Sequence, residues 1–181
     1  RVNLRQREHK SPEHLARNSL GQVPTLVLDD GEAISETVSI CRYLEALHPE
    51  PPLFGSTPLE QARVEMWSRR AELTGLLHAA DVVRNSIAFF ADKSLPGVQG
   101  GSPQIEALIE RGKAGLDRFF RAFDQQLADN EFVAGDHYSV ADITTQVTIE
   151  FAGWRKIGIP EECQNLARWY QQVSARPSAK A

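Results

Sequence analysis

Short apolar runs broken by turn residues fill residues 1–48, and long helical stripes dominate residues 57–181. Val2-Asn3-Leu4 reads as a strand, and Ser11-Pro12-Glu13 opens a helix with Ser11 as N-cap and Pro12 at the first helical position. That helix stops near Asn18–Gly21, where glycine can take positive φ. Thr25–Leu28 is a strand, Asp29-Asp30-Gly31 a tight hairpin turn, and Ala33-Ile34 the stub of a return strand. A second helix is expected from about Thr37 to Leu47, with Val38, Cys41 and Leu44–Glu45 on its stripes and His48-Pro49 ending it.

Residues 49–56 form a proline-rich linker, too stiff and too poor in apolar spacing to be an element. Thr57-Pro58-Leu59-Glu60 is a capping box that opens a long helix. Its inner face is expected along Ala62, Met66, Leu73, Leu76, Ala80, Val83, Ile87 and Phe90. Leu95–Gly101 reads as a loop and Ser102-Pro103 as the next helix start. That helix carries the stripe Ile105, Leu108, Ile109, Gly112, Leu116, Phe119, Phe120, Phe123 and Leu127. A stripe of that length needs a partner, so the two long helices should pack antiparallel.

The segment 139–154 is ambiguous, because Val147, Ile149 and Phe151 alternate as a strand would. Ser139-Val140-Ala141-Asp142 is an aspartate variant of the capping box, however, with Tyr138 and Ile143 at the hydrophobic-staple positions, which favours a buried helix. A last amphipathic helix carries Leu166, Trp169, Tyr170 and Val173 and ends before Arg176-Pro177.

Composition narrows the classes. The 181 residues are 41% hydrophobic and 24% charged, an ordinary globular mix. A net charge of −4 gives no electrostatic reason to expect nucleic acid or an anionic membrane as partner. No apolar run approaches the ~20 residues of a membrane span. Cys41 and Cys163 stand far apart, without a neighbouring thiol or histidine at metal-ligand spacing. Both are expected to be plain buried thiols, which suits a reducing cytoplasm, and no metal is expected. The chain opens at Arg1, partway into what reads as a strand, so an upstream segment is expected.

Two short motifs carry candidate chemistry. At Val23-Pro24-Thr25, a proline at the mouth of a strand marks a turn, and a cis bond there would turn the Val23 main chain toward solvent. Its free N–H and C=O could then bond an extended peptide as an added strand does. The plainer alternative is a proline that only shapes the turn. At Ile34-Ser35-Glu36-Thr37, a helix N-terminus offers free N–H groups and a positive dipole to a carboxylate. Thr37 adds a hydroxyl donor and Glu36 a charge for an ammonium group, which together suit the head of a free amino acid. Ordinary N-capping with an acid in the first turn is the plainer alternative here.

In their order along the chain, the motifs resemble the glutathione S-transferase superfamily, cytosolic type and bacterial or theta-like. The stretch Ser11 through Glu45 resembles that family's glutathione-site half, and Gly135-Asp136-His137-Tyr138-Ser139-Val140-Ala141-Asp142-Ile143 resembles its helical-domain signature. Trp169 through Arg176-Pro177 is similar as well, so the likeness covers nearly the whole chain. The fold implied is an α/β thioredoxin-like N-terminal domain (residues 1–48, incomplete, lacking its first strand and helix), the linker 49–56, and an all-α helical domain over 57–181.

The resemblance also implies roles. Val23 would pair through its backbone with the cysteinyl unit of glutathione, and Pro24 would shape that site. Glu36 would hold the γ-glutamyl ammonium and Thr37 the carboxylate, where the family more often has serine. Gln22 could reach the glycine carboxylate. His9 matches a histidine used for that carboxylate in the theta-like branch, or is an exposed loop histidine. Asn18-Ser19 departs from the commoner Asn-Pro.

The residue that activates the glutathione thiol lies, in that family, in the first strand–helix loop. No position of this chain occupies that place, so the catalytic residue stays unknown. A small electrophile would sit near Asp81, Arg84, Asn85 and Ile87. The activity implied is a glutathione transferase, working as a cytoplasmic homodimer. The alternatives are a non-catalytic interaction domain, or a glutathione-dependent isomerase, dehalogenase or disulfide reductase.

Overall fold

The computed structural model describes residues 1–96, 98 and 101–180. The expected loop at Leu95–Gly101 includes Gly97, Gln99 and Gly100, which lie outside the described residues. The chain divides into two compact units, Arg1–Pro51 with Leu95–Gly101, and Pro52–Ser94 with Ser102–Ala181.

In the first unit, helix α1 spans Pro12–Arg17, and the Ser11 hydroxyl accepts the His14 N–H at 3.2 Å as an N-cap should. Strands β1 (Thr25–Val27) and β2 (Ala33–Ser35) form an antiparallel pair with Thr25 opposite Ser35 and Val27 opposite Ala33. The turn between them closes with Gly31 N–H on Leu28 C=O, and Gly31 has φ 91°, which a side chain would oppose. Helix α2 runs over Thr37–Leu47.

Two expectations for this unit fail. Val2–Leu4 is not a strand: the Asn3 side-chain oxygen accepts the Arg5 and Gln6 amides, and the Asn3 N–H donates to Glu8, so the segment folds on itself. Cys41 is exposed and the buried position of α2 is Ile40, so the inward face runs one residue N-terminal to the expected stripe. Cys163 is buried as expected, and burial pushes its thiol up.

The second unit is helical: α3 (Pro58–Ala71), a π turn (Glu72–Leu76), α4 (Leu77–Ser86), α5 (Glu106–Gln126), α6 (Val140–Gly153) and α7 (Gln164–Ser174). The Thr57–Glu60 capping box is complete, with both reciprocal bonds formed. The expected single helix to Phe90 is instead interrupted by the π turn, in which the Leu77 N–H reaches back to Glu72 C=O, and α4 stops at Ser86. Its expected inner face holds at Val83, which is buried, and is displaced along α3 and the π turn. Met66 and Leu73 are 40% and 48% exposed, while Val64, Ser68, Ala71, Gly75, Ala79 and Val82 are buried. Small residues line the inner face because α6 lies close against α3 and α5 against α4. A Cβ on Gly75 would come within 2.7 Å of the Phe119 ring, and one on Gly112 within 2.7 Å of the His78 carbonyl. Gly112 and Gly115 face His78 while Asn85 meets Ile105, so α4 and α5 are antiparallel as expected.

Helix α5 begins at Glu106, not at Ser102-Pro103. Its first turn is fixed from outside: Asn85 Oδ1 accepts the Ile105 N–H at 2.9 Å, and the Gln104 amide donates to the Arg84 and Ile87 carbonyls. Ser102 is instead bonded to Ser94. The α5 stripe buries Leu116, Phe119, Phe120, Phe123 and Leu127 beside Leu166, Trp169 and Val173 of α7.

The ambiguous segment is the helix α6, with its capping box formed. The staple is not what secures it: Ile143 is exposed, and Tyr138 packs edge-on against Phe132 with Arg176 stacked over its ring. The linker residue Phe54 is buried, and Leu53 C=O accepts the Val140 N–H at 3.0 Å.

Candidate functional site

The hairpin register organises the candidate site. The pairing ends at Thr25 opposite Ser35, so Val23-Pro24 immediately precedes β1 and Glu36-Thr37 immediately follows β2. Both motifs therefore lie at one end of the β1–β2 pair, with neighbouring strands about 4.8 Å apart.

The Val23–Pro24 peptide is cis, Val23 is exposed, and among the described residues its N–H and C=O have no partner. Glu36 stands at φ 70° and ψ 120°, a left-handed conformation that a residue with a Cβ seldom adopts. Such a residue costs on the order of 1–3 kcal/mol and is held there by its surroundings. Glu36 is the N-cap of α2, although its side chain makes no capping bond. The first helical bond runs from Ile40 N–H to Glu36 C=O, so the amides of Thr37, Val38 and Ser39 precede the ladder. An exposed carboxylate, an exposed hydroxyl and a helix N-terminus thus sit at the same end of the hairpin as an open peptide backbone.

Gln22 is half-buried, and its backbone carbonyl is engaged while its side chain has no partner among the described residues. His9 lies in a helical turn over Glu8–Lys10, and its buried Nδ1 has no partner among the described residues. Burial first, then the charges of Lys10, His14 and Arg7, hold its imidazole below the ordinary histidine value. The Lys10 ammonium donates to the Leu20 carbonyl at 3.1 Å.

Two polar residues at the site carry no role in the sequence motifs. His14 and Asn18, each 7% exposed, both donate to the Gln22 carbonyl, at 2.9 and 3.1 Å. A histidine and an asparagine one helical turn apart on a short amphipathic helix were the available signal.

Comparison with known proteins decides the family. Residues 1–47 match the model described as "Glutathione S-transferase, N-terminal domain", and residues 80–177 match "Glutathione S-transferase, C-terminal domain". The chain belongs to the glutathione S-transferase family. It is 39% identical to Glutathione S-transferase 2 of Saccharomyces cerevisiae, over 99% of this chain and 75% of that protein. The solved structure of Gtt2 from Saccharomyces cerevisiae superimposes with a TM-score of 0.86 at 37% identity, covering 99% of this chain and 84% of the other. A more distant likeness, 28% identical over 95% of this chain but only 38% of the relative, is to Elongation factor 1-gamma 1 of Oryza sativa subsp. japonica.

The β1–β2 pair with α1 and α2 thus falls in the thioredoxin-like N-terminal domain of a glutathione S-transferase, and residues 80–177 fall in its helical C-terminal domain. Within the helical domain, Asp81 is ion-paired with Arg111 at 2.9 Å, and Asn85 is committed to α4 and the start of α5. Arg84 is half-buried, and burial holds its guanidinium below its ordinary value.

Proposed function

We propose that this glutathione S-transferase holds glutathione at the open end of the β1–β2 hairpin and delivers its thiolate to a small electrophilic, hydrophobic substrate. The observation that carries the reading is the juxtaposition of the unpaired Val23 backbone with Glu36 and Thr37 at the start of α2. An extended peptide bonds to the Val23 main chain as an added strand. The γ-glutamyl carboxylate meets Thr37 and the free amides of the helix start, and its ammonium meets Glu36. Gln22 and His9 take the glycine carboxylate. No metal takes part.

The protein works in the cytoplasm, as a homodimer. The exposed apolar residues Leu59, Met66, Leu73 and Leu77 recur along one side of α3–α4 and give such a dimer a face to bury. A second reading, an interaction domain without catalysis, is motivated by the likeness to elongation factor 1-gamma.

The thiolate is the nucleophile in the proposed reaction, and its ultraviolet absorbance reports its formation. Glutathione titrated into the full-length protein at constant pH should bind and gain thiolate absorbance beyond that of free glutathione. Binding without that gain favours an interaction domain, and absence of binding removes both the site and the activity.

A further inference from the structure

His14 and Asn18 sit one turn apart at the end of α1, pointing into the first unit rather than toward solvent. Buried polar side chains need partners, and these two converge on one atom. The His14 Nε2 donates to the Gln22 carbonyl at 2.9 Å, and the Asn18 amide donates to it at 3.1 Å and to the Thr25 hydroxyl at 3.3 Å. The Asn18 side-chain oxygen accepts the Leu20 N–H, and its backbone carbonyl accepts the Gly21 N–H, which shapes the turn between. The Thr25 hydroxyl donates to the same Gln22 oxygen at 3.4 Å, so that carbonyl is held from α1 and from the start of β1, facing into the first unit.

The consequence falls on the next residue. A trans peptide unit is planar, so its C=O and the following N–H point in opposite directions. With the Gln22 C=O tied inward, the Val23 N–H has to face outward. That group is the donor the proposed site offers to the backbone of glutathione.

We propose that His14 and Asn18 are positioning residues: they clamp the Gln22–Val23 peptide plane so that the Val23 N–H is aimed at the bound peptide. They touch no ligand themselves. The inference rests on the glutathione site proposed above and adds the part of the fold that aims it.

The test uses substitutions that keep volume and remove only the donor. Asn18→Asp keeps the oxygen for Leu20 but cannot donate to a carbonyl, and His14→Phe keeps the ring without its N–H. His14→Gln restores an N–H donor. In calorimetric titrations with glutathione, Asn18→Asp and His14→Phe should each raise Kd about tenfold or more, the loss of one well-aimed hydrogen bond. His14→Gln should stay within about threefold of the parent. In amide NMR, the shift of the Val23 N–H on adding glutathione should be lost in Asn18→Asp and kept in His14→Gln.

A purely structural role would lower melting temperatures and leave Kd and the Val23 shift unchanged in whatever remains folded. That outcome overturns the proposal. Glu36→Ala, measured alongside, separates the two layers. If it weakens binding while Asn18→Asp and His14→Phe do not, the site stands and the clamp fails. If neither Glu36→Ala nor the clamp variants alter binding, the site itself is elsewhere and the clamp falls with it.

Discussion

The carboxylate of Asp142 accepts the indole N–H of Trp169 at 2.8 Å in the interior of the helical domain, where both residues are fully buried. The same carboxylate takes the Val133 N–H, the Ser139 N–H and the Ser139 hydroxyl, so it joins the start of α6, the loop before it and α7. Burial pushes its carboxyl up, against the downward pull of those donors. Removing it would leave buried donors unpaired, each costing ~1–3 kcal/mol. Asp142→Ala should therefore lower unfolding stability by about 3 kcal/mol or more, and Trp169→Phe should lose less. Denaturant unfolding of the two variants measures both. A loss below about 1 kcal/mol for Asp142→Ala would contradict the keystone role.

Two glycines should respond with opposite signs to alanine. At Gly112 a Cβ would come within 2.7 Å of the His78 carbonyl and of Val82, so overpacking of ~1–3 kcal/mol outweighs the gain in helix propensity. At Gly153, the last residue of α6, a Cβ meets nothing within 4 Å, and Gly153→Ala should stabilise by up to about 1 kcal/mol. Thermal unfolding of each variant checks the sign.

The apolar side of α3–α4 gives a test of assembly. Leu73 and Leu77 are 48% and 52% exposed. Leu73→Glu combined with Leu77→Glu should convert a dimer to a monomer in sedimentation while leaving the helical circular dichroism intact. A parent protein already monomeric at micromolar concentration would remove the homodimer.

Glutathione affinity should depend on pH through His9. Its imidazole is held below the ordinary value of 6.5 in the free protein, chiefly by burial, and its Nδ1 has no partner among the described residues. A bound carboxylate favours the charged ring and raises that pKa, so binding takes up a proton. Affinity should rise as pH falls through the interval between the raised and lowered values, and His9→Asn should flatten the profile. Titrations across roughly pH 5.5–8 in ~0.1 M salt resolve this.

The local grammar of the chain carried much of this architecture. Ser11 with Pro12, Thr57 with Glu60 and Ser139 with Asp142 start helices where capping chemistry says they should, because each cap is satisfied within four residues. What could not be read locally is what distant residues decide. The α5 start is set by Asn85 and Gln104 rather than by Ser102-Pro103. The inner face of α3–α4 follows small residues because α6 and α5 press close, and a hydrophobic count favours Met66 and Leu73 instead. In the candidate site, Val23, Pro24, Glu36 and Thr37 were visible as motifs, and the hairpin pairing that brings them to one end follows from the Asp29–Gly31 turn. His14 and Asn18 stood outside those motifs, since their partner is a backbone carbonyl that leaves no mark in the residue pattern.

The most direct test of the site is calorimetric titration of glutathione into the parent protein, Glu36→Ala, Thr37→Val and Thr37→Ser. A charge-assisted hydrogen bond is worth ~1.5–3 kcal/mol, and each 1.4 kcal/mol is about tenfold in Kd. Glu36→Ala should weaken binding roughly ten- to a hundredfold, Thr37→Val should weaken it too, and Thr37→Ser should be nearly silent because the donor is kept. If these positions only start a helix, the substitutions would change stability by about 1 kcal/mol and leave affinity alone. Unchanged affinity in Glu36→Ala would contradict the proposed glutathione site.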